Sequence, residues 1–361
     1  MFPSLTRSEG APVFELELDG RSLHGGSLRN LLSMELKESM DQLDALTVRI
    51  NVPERVVEGL KFTRPGAGFK VRLGHSGAAM REVVGDILDV SHSRSASGWE
   101  ITLAGVDRLH RLKKKQLTEV WEGNHRQVIT AIAGACGLTP MVEEVSATGS
   151  VRMQLNEDAA TVLSRIAKEN NYFVRIEQGN ILRCGRHGLP YLSEGVTLRW
   201  GQDILDVQLS YSLNDVVTEV TSRGQDYTQD SWVEGRGTAA DVRRISGGLT
   251  APDMVLMAFG PVTRFLDNAG QSQVSQAQER AQSEMRESAE KFLNGTVKCV
   301  GTPEATSGAN LTIVDAGWPL SGIFIIKETT HSFDPGSGYT TSITYGSDSL
   351  PPGHERYWGA P

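Results

Sequence analysis

The sequence predicts an α+β protein that is mainly β, with two similar β-barrel domains joined by a small α/β unit. Three observations predict this class. Short runs of alternating apolar residues fill residues 1–112, as expected for a first barrel. Helical periodicity dominates residues 113–195, the connecting unit. Alternation returns over residues 196–350, a second barrel with a helical insertion at about 237–293, before a Pro- and Gly-rich tail at 351–361.

The first barrel is predicted from strands at regular spacing. Residues 13–18, "VFELEL", alternate and lead to the turn signal Asp19-Gly20. Further alternating runs are Leu32, Met34 and Leu36; Leu46, Val48 and Ile50; and Phe69, Val71 and Leu73. Short strands in such a series favour a closed or nearly closed barrel, because closure leaves few exposed edges.

Two capped helices and a hairpin predict the connecting unit. Asn124 and Gln127 have capping-box spacing before the helix "RQVITAIAGAC". Asn156 is the predicted cap of a second helix. Within residues 159–185 the helical spacing changes to alternation, and Gln178-Gly179-Asn180 is typical of a hairpin turn. The polar residues of this stretch suit caps and turns, so it is interpreted as a joint between larger parts.

The longest helical signal lies at residues 271–293. Its apolar stripe is narrow and consists mostly of small side chains: Val274, Ala277, Ala281, Met285 and Phe292. Such a stripe predicts close packing of the helix on another element.

The two β regions end in similar sequences, "GDILDVSHSRSASGWEITLAG" at 85–105 and "GIFIIKETTHSFDPGSGYTTSITYG" at 322–346. Each has a His-Ser pair before a polar turn, at His92 and His331, and then an aromatic residue, Trp99 or Tyr339. The echo predicts a structural duplication. A chain with two similar barrels, assembled as a trimer, would present six similar units around an axis.

Composition and motifs exclude several function classes. The chain has 361 residues and a formal net charge of −8, which argues against a nucleic-acid partner. No apolar run is long enough to span a bilayer, and the N-terminus lacks a secretory signal, so synthesis and assembly in a cytoplasm are expected. The three cysteines have no zinc-type spacing, and no catalytic or phosphate-binding signature is present. No enzyme activity, cofactor, metal, small-molecule substrate or membrane anchor is therefore predicted.

A basic run, "DRLHRLKKKQ" at 107–116, stands out in this acidic chain. Its positive charges are Arg108, Arg111, Lys113, Lys114 and Lys115. One interpretation is a solvated linker; the other is an electrostatic contact with an acidic partner protein or with DNA. The five residues are the candidate partner-contact site.

Several segments, in this order, resemble the phage late control gene D family of tail baseplate hub proteins. The segments include "GVDRLHRLKKKQ", "ATVLSRIAKENNYFVRI" and "LRWGQDILDVQLSYSLNDVVTEVTSRGQD", and the resemblance extends over about residues 12–346. "DRLHRL" and "LSRIAKENNYFVRI" carry it most clearly. The hub portion of type VI secretion spike proteins is similar as well. The resemblance implies a homotrimer with two β-barrels per subunit and pseudo-sixfold symmetry, which joins the sixfold tail tube to the threefold spike. It implies no catalytic residues.

The end of the sequence bears on the kind of hub. No repetitive β-helical needle follows the last strand before Pro361, so the resemblance implies a separate spike protein and favours a contractile phage tail or phage-derived particle. The expected partners are the spike, the tail tube protein and other baseplate proteins, with the tape measure protein a further candidate. The expected location is the baseplate of the virion, assembled in the host bacterial cytoplasm.

Two alternatives stay open. The first is a hub of a type VI or extracellular contractile injection system that carries effectors. The second is a tail-associated glycan-binding or hydrolytic domain, which would need paired carboxylates or an aromatic platform in one cleft. The six tryptophans are spread evenly along the sequence, which does not favour a platform.

Overall fold

The structure is a computed structural model. It describes residues 10–22, 30–40, 42–52, 63–78, 80–95, 98–117, 120–142, 151–154, 156–170, 172–177, 180–186, 195–226, 229–266, 273–336 and 338–353. The predicted turn residues Gln178 and Gly179, and most of the predicted tail, lie outside these ranges.

The first β region forms an antiparallel sheet with the strand order β3-β4-β7-β6-β5-β1-β2. The strands are β1 Pro12–Leu18, β2 Arg21–Ser22, β3 Leu31–Ser39, β4 Ala45–Val52, β5 Gly68–His75, β6 Arg81–Ser95 and β7 Gly98–Asp107. Their alternate side chains form one core. The expectation for Leu32 is wrong: a bulge between Leu31 and Ser33 reverses the alternation, so Leu31 is buried and Leu32 is exposed.

The connecting unit has its own core, formed by the apolar stripes of two helices and a small sheet. Its elements are α1 His110–Lys113, β8 Gln116–Leu117, β9 Val120–Gly123, α2 His125–Ala135, β10 Thr139–Val142, β11 Val151–Gln154, β12 Glu157–Asp158, α3 Ala159–Asn170, β13 Tyr172–Glu177 and β14 Ile181–Arg186. The predicted hairpin is confirmed, since β13 and β14 pair antiparallel directly after α3.

The helix caps agree with the sequence at one helix and differ at the other. The Asn124 side chain accepts from the Gln127 N–H, and the Gln127 side chain accepts from the Asn124 N–H, which confirms the capping box. Asn156 does not cap α3. Residues 157–158 pair as a strand with β8, so the helix begins later, and Asp158 Oδ1 accepts from the Thr161 N–H at 2.9 Å instead.

The second β region repeats the strand order of the first. Its elements are β15 Val196–Arg199, β16 Ile204–Tyr211, β17 Glu219–Asp226, β18 Ser231–Thr238, α4 Ala251–Phe259, β19 Thr263–Leu266, α5 Val274–Glu290, β20 Leu293–Val300, β21 Asn310–Val314, β22 Gly322–Asp334 and β23 Gly338–Ser347. Six of these strands lie in the order β16-β20-β23-β22-β21-β15, which matches the order β3-β4-β7-β6-β5-β1. The last strand differs in direction, because β15 pairs parallel with β21 whereas β1 pairs antiparallel with β5. They enclose a second core. The class α+β, mainly β, is confirmed.

The two regions differ in what lies between equivalent strands. Only residues 40–44 lie between β3 and β4, whereas between β16 and β20 the chain forms the three-stranded sheet β18-β17-β19 together with α4 and α5. Helix α5 packs its small residues on this sheet, as most of its narrow stripe predicts: Ala277 and Ala281 are fully buried, whereas Val274 at the start of the helix is exposed. The division of the chain near residues 112, 195 and 350 stays a prediction.

The two regions are joined edge to edge. Residues Glu328–Phe333 of β22 pair antiparallel with Ser39–Met34 of β3, so both regions belong to one 13-stranded sheet. We call this pairing the internal joint. Strand β22 can serve two neighbours on one edge because a bulge follows Ile326: before it, β22 pairs with β21, and after it, with β3.

The register of the two terminal hairpins is the same. In β6 a bulge follows Ile87, and in β22 a bulge follows Ile326, in each case five residues before the histidine, His92 or His331. His92 lies opposite Ile101, and His331 lies opposite Thr341. The sequence echo is therefore matched in the backbone, although Ile101 corresponds to Thr341 and not to Ile343.

Candidate functional site

The basic run leaves the sheet at the end of β7 and forms the short helix α1. Asp107 fixes its start: Oδ1 accepts from the Leu109 N–H at 2.7 Å, and Oδ2 accepts from the Asp44 N–H at 3.0 Å. Leu112 is buried and anchors the segment in the core of the connecting unit. The basic run is thus fixed by Asp107 at its start and by Leu112 in the core of the connecting unit.

Two of its five predicted contact residues have partners within the protein. The Arg111 guanidinium donates two hydrogen bonds to Asp86, at 2.6 and 2.7 Å, and the Asp86 carboxylate is buried. This bidentate pair raises the pKa of Arg111. Arg108 donates from Nη1 to Asn180 Oδ1 at 2.9 Å, which links the run to the connecting hairpin.

The other three residues, Lys113, Lys114 and Lys115, are exposed side by side. Within the described ranges, no carboxylate forms an ion pair with any of the three ammonium groups. They form the open cationic surface of the run, and we call them the lysine patch. Its position, at the junction of the first β region and the connecting unit, is compatible with contact to another protein.

A buried polar cluster lies at the internal joint, and sequence reasoning missed it. Glu38 on β3 forms an ion pair with Arg81 on β6, accepts from Thr329 Oγ1 at 3.3 Å and lies 3.5 Å from His331 Nε2. We call Glu38, Arg81, Thr329, His331 and Tyr339 the joint cluster. Burial would raise the pKa of Glu38, but Arg81 and His331 outweigh burial and lower it to about 2.

The imidazole of His331 is fully buried and bonded at both nitrogens. Nε2 lies 3.0 Å from the carbonyl oxygen of Ala305, which can only accept, so Nε2 donates. Nδ1 lies 2.9 Å from the Tyr339 hydroxyl and 3.2 Å from the Thr341 hydroxyl, and burial raises the pKa of Tyr339, so that its hydroxyl keeps its proton. His92, at the same register position in β6, is exposed. The two histidines of the echo therefore have equivalent backbones and different surroundings.

A signal for the cluster is present in the sequence of β3. Met34 and Leu36 are buried, and Glu38 continues their alternation onto the same face. An acidic residue at a strand position that faces the core indicates a buried partner for its carboxylate. The partners could not be identified from spacing, because Arg81 and His331 are distant in sequence and only strand pairing brings them together.

A crevice of about 660 Å³ opens beside the joint cluster, between the two β regions and the connecting hairpin. Asp44 and Asp107 line it with Glu38 and Arg81. Burial, together with the neighbouring Glu38 and Asp107, raises the pKa of Asp44 well above its ordinary value. In the described part of the chain, no three side chains of metal-ligating type come together, and no helix is both long and apolar enough to cross a membrane.

Solved structures with the same fold are tail proteins and a secretion component. A tail protein from Neisseria meningitidis MC58 is 13% identical, with a TM-score of 0.70 over 94% of this chain and 97% of that chain. The prophage MuSo2 43 kDa tail protein from Shewanella oneidensis is 14% identical, with a TM-score of 0.67 over 94% and 100%. The baseplate-hub-like fold implied by the sequence resemblance is thereby confirmed.

The third structure is an Escherichia coli component of the type VI secretion system, described as similar to the T4 bacteriophage tail proteins gp27 and gp5. It is 12% identical, with a TM-score of 0.57 over 92% of this chain and 77% of that chain. No curated protein sequence matches the chain significantly. A family model described as the Alg8 N-terminal domain matches residues 61–334. The chain belongs to this family, and its fold is that of the tail proteins.

Proposed function

We propose that the protein is a structural, non-enzymatic baseplate hub of a contractile phage tail or of a phage-derived particle. Each subunit contributes two barrels, and three subunits form a ring of pseudo-sixfold symmetry. One face of the ring meets the sixfold tail tube, and the other holds the threefold spike. The protein thus adapts one symmetry to the other.

The observation that carries the proposal is the repeated six-strand order within one chain, joined edge to edge by β22 and β3. Two similar units per chain are what a trimer needs in order to present six similar units to a sixfold partner. Likeness to tail proteins over nearly the whole chain supports the same role.

The partners in this proposal are a separate spike protein, the tail tube protein and neighbouring baseplate proteins, with the tape measure protein as a further candidate. The lysine patch is the proposed electrostatic contact for one of them. Arg108 and Arg111 hold the patch in place through Asn180 and Asp86. The proposed location is the tail baseplate of the virion.

The mass of the purified chain in solution, alone and with its spike protein, tests the hub proposal. Light scattering coupled to size-exclusion chromatography should give the mass of three chains, at least when the spike is present. A monomer under all conditions, including with the spike, would refute the proposal.

A hub of a type VI or extracellular injection system that carries effectors is the nearest alternative, because the fold is shared with a type VI component. The genes that neighbour this one distinguish a phage-tail hub from an injection-system hub. Tube, sheath and separate spike genes support the phage tail, whereas an ATPase gene and effector genes support the injection system.

One observation favours a hydrolytic role on glycans: Glu38 and Asp44 line one crevice, and their pKa values are shifted in opposite directions. The structural role is better supported, because Glu38 is already bonded to Arg81 and Thr329. Turnover of peptidoglycan or polysaccharide that is lost in both Glu38→Gln and Asp44→Asn, with the fold intact, would establish hydrolysis.

A further inference from the structure

A second cleft, of about 880 Å³, lies between the connecting unit and the second β region. Residues of α1, α3 and β13 form one wall, and the C-terminal end of α5 and strand β22 form the other. Helix α3 packs against both α1 and α5, which fixes the two walls relative to each other. Four lysines line this cleft, and we call it the lysine cleft: Lys113, Lys168, Lys291 and Lys327.

Between its charged residues the lysine cleft is lined by apolar side chains. They come from both walls and from the connection between β3 and β4, and they include Leu43, Leu109, Ala167, Tyr172 and Ile325. Leu43 and Leu109 are only half-buried, so part of this apolar surface is open to a ligand. A ligand that covers it gains free energy from the burial of apolar surface.

Two of the four lysines are engaged within the second β region, and so are the two glutamates of the cleft. Lys291 Nζ lies 3.2 Å from Glu287 Oε1. Lys327 donates from Nζ to the carbonyl oxygen of Glu290 at 3.0 Å, and the Glu290 carboxylate lies 3.9 Å from Arg243 Nη1. Both carboxylates of the cleft are thus paired with cations of their own wall.

The other two lysines belong to the connecting-unit wall. Lys113 on α1 and Lys168 on α3 are exposed. Among the residues that the structure describes, no carboxylate forms an ion pair with either ammonium group. The lysine cleft therefore offers two available cations beside an open apolar surface.

We propose that the lysine cleft binds an acidic segment of a partner protein. Carboxylates of the segment pair with Lys113 and Lys168, and its apolar side chains cover Leu43, Leu109 and Ile325. Charge complementarity selects this occupant, because a basic segment would be repelled by the same two lysines. The inference deepens the proposed function and rests on it for the partner being a protein: it assigns a chemistry to the partner that the lysine patch contacts.

The lining of the cleft favours a protein segment over a nucleic acid. A phosphate backbone binds rows of positive charge, whereas one wall here carries two glutamates and the whole chain has a net charge of −8. In an extended segment, successive side chains point to opposite sides. A segment in which acidic and apolar residues alternate can therefore direct its apolar side chains into the cleft and its carboxylates toward the lysines.

A synthetic peptide in which Glu and Leu alternate is the probe for this site. Fluorescence anisotropy of the labelled peptide with the full chain should show saturable binding that weakens as salt is raised, because the two lysines are exposed. A peptide of alternating Lys and Leu should not bind. A peptide of alternating Glu and Ser should bind more weakly, because it covers no apolar surface. Equal binding of the Glu–Leu and Lys–Leu peptides would overturn the proposal.

Charge reversal inside and outside the cleft separates a specific contact from general attraction. Lys113→Glu/Lys168→Glu should lower the affinity for the Glu–Leu peptide by about tenfold or more, whereas Lys113→Arg/Lys168→Arg keeps the charge and should bind normally. Lys114→Glu/Lys115→Glu is the matched control. It makes the same change of net charge, but neither side chain lines the cleft, so the affinity should stay within about twofold. An equal loss in the two charge-reversed variants would overturn the cleft as the site.

A steric variant tests the cleft without a change of charge. Ser164 is exposed on α3 and lines the cleft, so Ser164→Trp should fill the space and abolish binding of the Glu–Leu peptide. Ser164→Ala should bind normally. Thermal unfolding shows whether each variant is folded, and normal binding by folded Ser164→Trp would overturn the proposal.

Other occupants of the cleft give different results. A labelled DNA duplex that binds the wild type and no longer binds Lys113→Glu/Lys168→Glu would assign the cleft to nucleic acid and overturn the acidic segment. Self-association that is lost in Ser164→Trp, without any binding of the Glu–Leu peptide, would show that a second copy covers the cleft and would overturn it as well.

The two proposals fail differently. A trimer by mass that does not bind the Glu–Leu peptide overturns the cleft as a site for an acidic segment and leaves the hub intact. A chain that is monomeric under all conditions, including with the spike, but binds the peptide through Lys113 and Lys168 refutes the hub and leaves the cleft intact.

Discussion

Glu38 is a buried carboxylate whose three partners come from two distant stretches of the sequence, β6 and β22. Arg81, Thr329 and His331 supply the charge and hydrogen bonds that replace water around it. A carboxylate so paired favours its ionised form even in a buried place, which is why its pKa falls to about 2. The joint cluster therefore ties the stability of the internal joint to pH.

The pH dependence of stability follows from the direction in which the pKa of Glu38 is shifted. Because the pKa of Glu38 is depressed from an ordinary 4.5 to about 2, its stabilisation is complete above pH 4.5 and is lost as the pH falls through about 2. The contribution is on the order of 3 kcal/mol. Urea unfolding of the wild type between pH 5 and pH 2 should show this loss, and Glu38→Gln should have a flatter pH profile.

Asp44→Asn is the control, because Asp44 contributes to the pH dependence of stability in the opposite direction. The raised pKa of Asp44 favours its neutral form, so its contribution to stability is lost as the pH rises through that raised pKa. An unchanged acid slope in Glu38→Gln would show that the joint cluster does not control the acid stability.

At the scale of residues, the sequence predicts those features that depend only on residues close together in the chain. The Asn124–Gln127 capping box needs only three residues, and it is confirmed. The α3 cap is missed because the pairing of β12 with β8, a contact between separate segments, shifts the start of the helix to Asp158. The joint cluster is missed for the same reason at longer range.

At the scale of elements, the packing of α5 on β18 depends on two glycines that face it. An added Cβ at Gly235 would lie 2.1 Å from the backbone nitrogen of Gln278, and one at Gly237 would lie 2.3 Å from the carbonyl oxygen of Ala281. Backbone atoms cannot move aside cheaply. The small stripe of α5 predicts this close approach, but the sequence alone does not identify the strand that receives it.

Gly237→Ala should destabilise the protein by about 1–3 kcal/mol, because the helix must move away from the strand. Gly134→Ala in α2 is the matched control: its Cβ would meet nothing within 4 Å, and it should raise stability by up to about 1 kcal/mol through helix propensity. Thermal unfolding measures both. Equal effects of the two substitutions would contradict the close packing of α5.

At the scale of the whole molecule, the lysine patch is the surface proposed for contact with another baseplate component. Reversal of all three charges, Lys113→Glu, Lys114→Glu and Lys115→Glu, should change stability by no more than about 0.5 kcal/mol for each substitution, because the side chains are exposed. Binding to the partner should weaken, most at low salt. The triple Lys→Arg variant keeps the charge and should bind normally.

Co-purification with tube, spike and tape measure proteins at two salt concentrations measures this and identifies the partner. Unchanged binding to all of them in the charge-reversed variant would show that the run is a solvated linker.

The repeated architecture could be predicted from the sequence echo, because the echo lies in the hairpin that each region needs. The insertion between β16 and β20 could not be bounded, since its strands alternate like those of the barrels.

The internal joint also has a consequence for the concentration that assembly requires. Because β22 and β3 are covalently connected, their pairing forms within one molecule and loses no translational freedom. In the proposed ring of six units, only three of the six joints then lie between separate chains. Assembly should therefore depend on the third power of subunit concentration, where six unfused units would depend on the sixth, so a fused subunit can complete its ring at far lower expression.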